Sequence, residues 1–201
     1  GKTRTVGYLV RELIERHKTV LVLAHSNAAV DVATLAVVNA CRGMPYLAAG
    51  AMIRYGIITN RDLMTESDVN PLSILAGRNA DAERFVGLQS QRHDLLEHAR
   101  REELFDTAAF ETVRGDMGKL RHRVDVELRK LVSSAPVVAT TLTKLALSDE
   151  LMQRLFDVVI VDEASMSLVP YDVLAASRAS GKVVFVGDFM QLPPIASGTT
   201  P

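Results

Sequence analysis

The chain has 201 residues, of which 48% are hydrophobic, and its formal net charge at pH 7 is −1. This length and apolar share are typical of one globular domain, or of one domain that carries an insertion. The near-neutral charge excludes a strongly basic or acidic protein, although a local basic groove would still disappear in the total.

Cysteine content and hydropathy indicate the cellular compartment of the protein. The single cysteine, Cys41, excludes an intramolecular disulfide and fits a reducing environment. No apolar run is long enough to span a bilayer, and no secretory signal is recognisable at the N-terminus. We therefore expect an intracellular protein, cytoplasmic or nuclear (nucleoid in a bacterium), without a membrane partner.

The N-terminal region alternates between helix and strand patterns. Apolar residues at helical spacing predict a helix over 4–17, and the Val- and Leu-rich run at 19–24 predicts a buried strand. Ser26 and Asn27 offer a helix N-cap before an apolar-faced helix over 28–40. The following residues are less regular, with a short strand expected within 51–56.

The middle of the chain has a different composition. Between Arg78 and Lys130, eleven Lys and Arg residues balance eleven Asp and Glu residues. Apolar residues recur there every three to four positions, which predicts two long helices that break near Phe105 and Asp106. We interpret this region as an antiparallel helical arm, and its balanced charge as ordinary solvation.

After the arm the alternation of strands and helices returns, with strands expected at 136–142, 157–161 and 182–188 and helices at 148–155 and 170–179. Such alternation predicts an α/β fold whose parallel sheet is covered by helices on both faces. The sequence thus predicts three regions: an N-terminal part of the α/β domain at 1–77, an inserted helical arm at 78–132, and the C-terminal part of the α/β domain at 133–201.

Polar clusters follow the predicted strands, where open α/β sheets bind their ligands. The N-terminal Gly1, Lys2 and Thr3 read as the end of a phosphate-binding loop that opens a helix. In that reading Lys2 contacts the β- and γ-phosphates and Thr3 ligates Mg²⁺. The glycine-rich part of such a loop does not precede Gly1, so we expect the chain to begin just inside the motif.

Two adjacent carboxylates, Asp162 and Glu163, end the apolar run at 156–161. Unpaired carboxylates are costly to bury, so this strand end calls for a cationic ligand. As a Walker B element, Asp162 would bind Mg²⁺ and Glu163 would orient and deprotonate the attacking water. The alternative is a solvated strand end, which the combination with the phosphate-loop motif disfavours.

The last predicted strand runs into Gly187 and Asp188, and Gln191 follows in a turn stiffened by two prolines. A glutamine amide at this place can bond a γ-phosphate oxygen or the attacking water. The alternative is a proline-rich loop with an incidental amide.

The segments GKT, VLVLAHSNAAVD, VVATTL, VVIVDEAS and VGDFMQLPPI, in this order, resemble the first motor domain of superfamily 1 helicases. The resemblance is to the 1B group, which includes the nonsense-mediated-decay RNA helicase, and it covers roughly 1–40 and 133–196. It implies a RecA-like P-loop NTPase fold, a three-layer α/β/α sandwich, with ATP and Mg²⁺ as cofactors. The arm matches only as a helical insertion at the place where this family carries one.

The resemblance also implies roles for individual residues. The nucleotide would be bound by Gly1, Lys2, Thr3, Asp162, Gly187, Asp188 and Gln191. Thr3 and Asp162 would hold Mg²⁺, and the catalytic residues would be Glu163, Gln191 and Lys2. The backbone of a single-stranded nucleic acid would contact Ser26, Asn27, Thr140 and Thr141. His25 departs from the family pattern, since many relatives have proline there.

We therefore expect an ATP-dependent helicase or translocase acting on single-stranded RNA or DNA. Its second RecA-like domain, with the arginine fingers that assist hydrolysis, would lie elsewhere in the same chain, so this fragment alone should be inactive. One alternative is a P-loop ATPase switch that controls a protein partner without unwinding. Another is a non-enzymatic binding module, against which the intact Lys2, Asp162 and Glu163 argue.

Overall fold

The computed structural model describes residues 1–45, 50–65, 68–100, 106–188 and 190. The chain divides into two compact units, one made of Gly1–Asn70 and Val132–Pro201 and the other of Pro71–Leu131. The sequence predicts the arm at 78–132, and this division of the chain into domains stays a prediction. The assignment of the arm as an accessory domain stays a prediction.

A five-stranded sheet forms the centre of the first unit. Its strands are β1 (Val20–Ala24), β2 (Met52–Arg54), β3 (Val137–Thr141), β4 (Phe156–Asp162) and β5 (Ala179–Val186). All pairs are parallel and the order is β2-β3-β1-β4-β5. β-Branched and leucine side chains suit strands that are buried on both faces. The predicted α/β fold with a parallel sheet is confirmed.

The helices are α1 (Lys2–Glu15), α2 (Asn27–Ala40), α3 (Arg61–Thr65), α4 (Pro71–Ala76), α5 (Ala80–Arg100), α6 (Thr107–Ser134), α7 (Leu142–Ala146), α8 (Asp149–Met152) and α9 (Val169–Ala176). A short 3₁₀-helix spans Ala164–Met166. Throughout the described ranges, every helix is too short or too polar to cross a membrane.

Helices cover both faces of the sheet. Alternate residues of β1, such as Val20 and Val22, pack with α1 and α2 in one core, whereas Leu21 is buried on the opposite face. There α7 packs on β3, and α9 packs on β4 and β5. On the first face, α1 and α2 approach closely at Gly7. A Cβ atom added there would lie 2.4 Å from the carbonyl oxygen of Ala36, so only glycine allows this distance. These layers form the expected α/β/α sandwich.

Two element boundaries differ from those expected. The predicted helix at 148–155 is present but shorter, as α8. An additional helix, α7, precedes it, because the Thr141 hydroxyl accepts a hydrogen bond from the Lys144 N–H and starts a helix directly after β3. The last strand begins at Ala179, within the predicted helix 170–179. Its polar start is held by β4, since the Ser180 hydroxyl donates to the Phe156 carbonyl.

In the second unit, α5 runs antiparallel to the part of α6 that belongs to it. Asp81 pairs with Arg123 at 3.2 Å and Arg84 pairs with Asp116 at 3.6 Å, so a later position in α5 meets an earlier one in α6. Exposed ion pairs of this kind add little stability. The helices are joined by an apolar cluster of Leu75, Ala82, Phe85, Leu88, Val113, Leu120 and Val124. The predicted break lies partly at Phe105, which is outside the described residues, and Asp106 caps α6.

Candidate active site and neighbouring groove

The carboxyl end of β5 lies next to the start of α1. The Lys2 Nζ atom is 3.8 Å from Asp188 Oδ2, and both side chains are partly exposed. Helix α1 begins at Lys2, with Gly1 as its N-cap and Thr3 in its first turn. The free N–H groups of a helix start attract phosphate, so Lys2 and the first turn offer one combined anion-binding surface. Gln191 lies outside the described residues.

Asp162, the last residue of β4, is buried. Burial raises the pKa of its carboxyl above the ordinary value, and the charge of Glu163 adds to that rise. The Glu163 N–H, which donates to Asp162 Oδ1 at 3.0 Å, and the charge of Lys2 act in the opposite direction. A divalent cation beside this carboxylate would favour its ionised form and so relieve the cost of burying it.

Glu163 has an unusual backbone conformation. Its φ of 52° and ψ of 39° lie in the left-handed region, which costs a residue with a side chain about 1 kcal/mol or more. Its Oε2 atom and the Ser165 hydroxyl are buried without a hydrogen-bond partner in the described structure. Buried polar atoms nearly always have a partner, and these two fit a polar ligand or an ordered water.

Gly187, the residue after β5, lies against the turn that follows Glu163. A Cβ atom added there would lie 3.0 Å from the Ser165 backbone nitrogen and 3.5 Å from the Ser165 hydroxyl. The end of β5 therefore touches the turn after Glu163, and only glycine fits without a shift of backbone.

The donor set fits Mg²⁺ bound with a nucleotide. Mg²⁺ in such sites takes one or two protein oxygens, and its remaining ligands are phosphates and water. The Asp162 carboxylate would supply one such oxygen. The Thr3 hydroxyl stays a sequence-based expectation, since Thr3 lines a pocket with Tyr8 and Val32. Within the described ranges there is no cluster of three or more His, Cys, Asp or Glu side chains that could hold a metal by itself.

A groove of about 580 Å³ lies at the ends of β1 and β3, lined by His25, Ser26, Asn27, Gly56, Ile57, Thr141, Thr143, Lys144 and Leu147. It brings Ser26, Asn27 and Thr141 together. The Ser26 hydroxyl also caps α2 by accepting from the Ala29 N–H at 3.2 Å. Thr140 is not on this surface, because it is buried and its hydroxyl donates to the Tyr55 carbonyl at 2.7 Å.

Sequence reasoning missed a buried cation under this groove. Arg54 is fully buried, and its Nε donates to Asp31 Oδ1 at 2.7 Å. Its other nitrogens donate to Asn27 Oδ1 at 3.1 Å, to the Tyr55 carbonyl at 2.8 Å and to the Ile57 carbonyl at 2.6 Å. One guanidinium thus holds two parts of the groove wall. The available signal was an arginine inside the apolar strand predicted at 51–56.

Asp31 fixes the rest of this segment. Its Oδ2 atom accepts from the Thr59 N–H at 2.6 Å, from the Thr59 hydroxyl at 2.7 Å and from the Asn60 N–H at 3.0 Å. Burial raises the pKa of this carboxyl, but these bonds and the bond from Arg54 outweigh burial and leave the pKa below its ordinary value. Asp31 therefore stays charged and ties the loop at 55–60 to α2.

Comparison with known proteins identifies the family of the chain. A family model described as an AAA domain matches residues 1–197. The protein named DNA polymerase alpha-associated DNA helicase A, from Schizosaccharomyces pombe (strain 972 / ATCC 24843), is 28% identical over 204 residues. The match covers 100% of this chain and 29% of that protein. The chain therefore belongs to the AAA domain family, and its resemblance to a superfamily 1 helicase motor domain is confirmed.

Proposed function

We propose that this domain is the ATP-binding part of a motor that hydrolyses ATP and moves along single-stranded nucleic acid. The observation that carries the proposal is the position of two sites at the ends of paired strands. β1 leads into Ser26 and Asn27, β4 leads into Asp162, and the two strands are hydrogen-bonded neighbours with Leu23 opposite Val161. A nucleotide site and a groove so close together are suited to influence each other.

At the nucleotide site each residue has a defined task. Lys2 and the first turn of α1 bind the phosphates, and Thr3 with Asp162 hold Mg²⁺. A Mg²⁺ ion held there would supply positive charge that stabilises the charge developing on the phosphate oxygens. Glu163 accepts a proton from the attacking water, and its unpaired Oε2 atom supports this role. Gly187 and Asp188 complete the wall, and Gln191 would contact the γ-phosphate.

At the groove, Ser26, Asn27 and Thr141 bind the nucleic-acid backbone. Hydroxyl and amide groups recognise phosphate and sugar oxygens without reading base sequence, so RNA and DNA are both candidate substrates. Thr140 acts indirectly by holding the Tyr55 carbonyl. In the full-length protein, a second RecA-like domain would supply the arginine fingers, in keeping with the 29% of the S. pombe relative that this chain spans.

The test is steady-state ATPase activity of the full-length protein, with and without single-stranded RNA and DNA. Nucleic acid should stimulate the wild-type rate. Glu163→Gln should lower kcat by a factor on the order of 10²–10⁴ while ATP affinity changes little, because the base is lost and the phosphate contacts remain. Lys2→Ala should weaken ATP binding instead. An ATPase that ignores both nucleic acids would favour the protein-controlling switch.

A further inference from the structure

We propose that Lys144 binds a phosphate of the single-stranded nucleic acid in the groove, and that Ile57 and Leu147 contact its sugars and bases. This inference rests on the proposed function and adds three residues to the groove's binding surface. All three line the groove together with Ser26 and Thr141.

Lys144 has the chemistry for a phosphate contact. Its ammonium lies 4.4 Å from the centroid of the Tyr55 ring, which attracts a cation without neutralising it. The salt bridges formed among the described residues do not include Lys144. Lys144 is half-buried and lines the groove, so a ligand in the groove can contact it.

The ring beneath Lys144 is held in place from several directions. The Tyr55 hydroxyl donates to Glu150 Oε1 at 2.5 Å, and its carbonyl accepts from Arg54 and Thr140. The position of the ammonium is therefore preorganised before a ligand binds. Binding a phosphate there costs less conformational entropy than ordering a free surface lysine.

The apolar residues complete a surface that suits a single strand. Ile57 and Leu147 are large hydrophobic side chains that are 70% and 77% exposed, and both line the same groove. Proteins that bind single strands without sequence preference combine a cationic contact to the backbone with side chains, usually aromatic, that pack on the bases. Ile57 and Leu147 offer aliphatic surface for such packing. An acidic peptide would use the cation but would not need two apolar neighbours, so we favour nucleic acid as the occupant.

The test uses the full-length protein and fluorescent oligo-dT and oligo-U, with Kd measured over a range of salt concentrations. Each phosphate contact to a single strand contributes about −0.7 to the slope of log K against log salt. Lys144→Gln should therefore make the slope shallower by about 0.7 and weaken binding about fivefold at 0.1 M salt, whereas Lys144→Arg should keep the wild-type slope. Ile57→Ser and Leu147→Ser should weaken binding at an unchanged slope.

The matched control is Lys182→Gln, which removes the same charge from an exposed position in β5 and should leave Kd and slope unchanged. Thermal unfolding of every variant checks that the fold is intact. A wild-type slope for Lys144→Gln, or an equal change in Lys182→Gln, would overturn the inference while leaving the proposed function standing. Failure of the wild-type protein to bind either strand, with a poly-Glu peptide binding through Lys144 instead, would overturn both.

Discussion

Arg54 and Asp31 form an ion pair at 2.7 Å in which both side chains are fully buried. The pair joins the end of β2 to the second turn of α2, and it lies beneath residues that line the groove. Its hydrogen bonds are numerous on both sides, which is the condition under which a buried ion pair is tolerated. The pair therefore gives the groove a fixed wall, and its removal should be costly.

Arg54→Ala should lower the free energy of unfolding by about 3–5 kcal/mol, because Asp31 would keep a buried charge without its cation. Urea unfolding of the domain measures the change. The control is Arg16→Ala, which breaks an exposed pair with Glu12 and should change stability by less than about 1 kcal/mol. Equal effects of the two variants would show that burial adds nothing to the Arg54 pair.

The Asp31 pair should also make stability depend on pH. The pKa of Asp31 in the folded state lies below its ordinary value of 3.8, so the carboxylate stabilises the fold above that value. This stabilisation is lost as pH falls through the folded-state pKa. The stability difference between the wild type and Asp31→Asn should be constant from about pH 7 to pH 5 and narrow below about pH 4. Denaturant unfolding across this range tests it, and a difference independent of pH would contradict it.

Glu163 should show a conflict between stability and activity. Asn tolerates the left-handed conformation better than Glu, so Glu163→Asn should raise the free energy of unfolding by about 0.5–1 kcal/mol while ATP turnover in the full-length protein is lost. His17 offers a matched control, since its φ is 55° at the end of α1, away from the strand ends. His17→Asn should change stability less, because His also tolerates the left-handed region, and it should leave turnover unchanged. A destabilised Glu163→Asn domain would show that the backbone of Glu163 is not strained.

Gly187→Ala should disturb the turn that carries Glu163. The new methyl group would meet the Ser165 backbone nitrogen at 3.0 Å, and backbone cannot yield as a flexible side chain can. We expect a lower kcat and a loss of about 1 kcal/mol or more in stability. Gly115→Ala in α6 is the contrasting change, because the new Cβ atom would meet nothing within 4 Å. This substitution should stabilise the helix by up to about 1 kcal/mol. Unaltered turnover in Gly187→Ala would contradict the tight contact.

The sequence predicted β1 and β4 well, because each is a short apolar run bounded by polar residues. It missed the beginning of β5, where Ser180 and Gly181 carry no strand pattern. That start depends on a contact with β4, since a Cβ on Gly181 would lie 2.6 Å from the Asp157 carbonyl oxygen. The pattern of apolar residues along the chain contains no information about how closely two backbones approach.

The groove was predicted only in part. Successive residues of a strand face opposite sides, so Thr140 and Thr141 could not both reach one surface, and resemblance alone treated them alike. The Arg54–Asp31 pair could not be predicted from local sequence, because its partners are 23 positions apart and each lies in a mostly apolar element. Only the folded chain brings them together.

The parallel ladder between β1 and β4 has a mechanical consequence. Four consecutive residue pairs, from Val20 with Val158 to Leu23 with Val161, fix the spacing of the two strands. Sliding one strand along the other would break several hydrogen bonds at once. If the domain acts as the proposed motor, the distance between the nucleotide site and the groove is therefore constant through the cycle. We expect each step along the nucleic acid to come from the loops at the ends of the β-strands and from rotation of the whole domain. The sheet itself should not stretch.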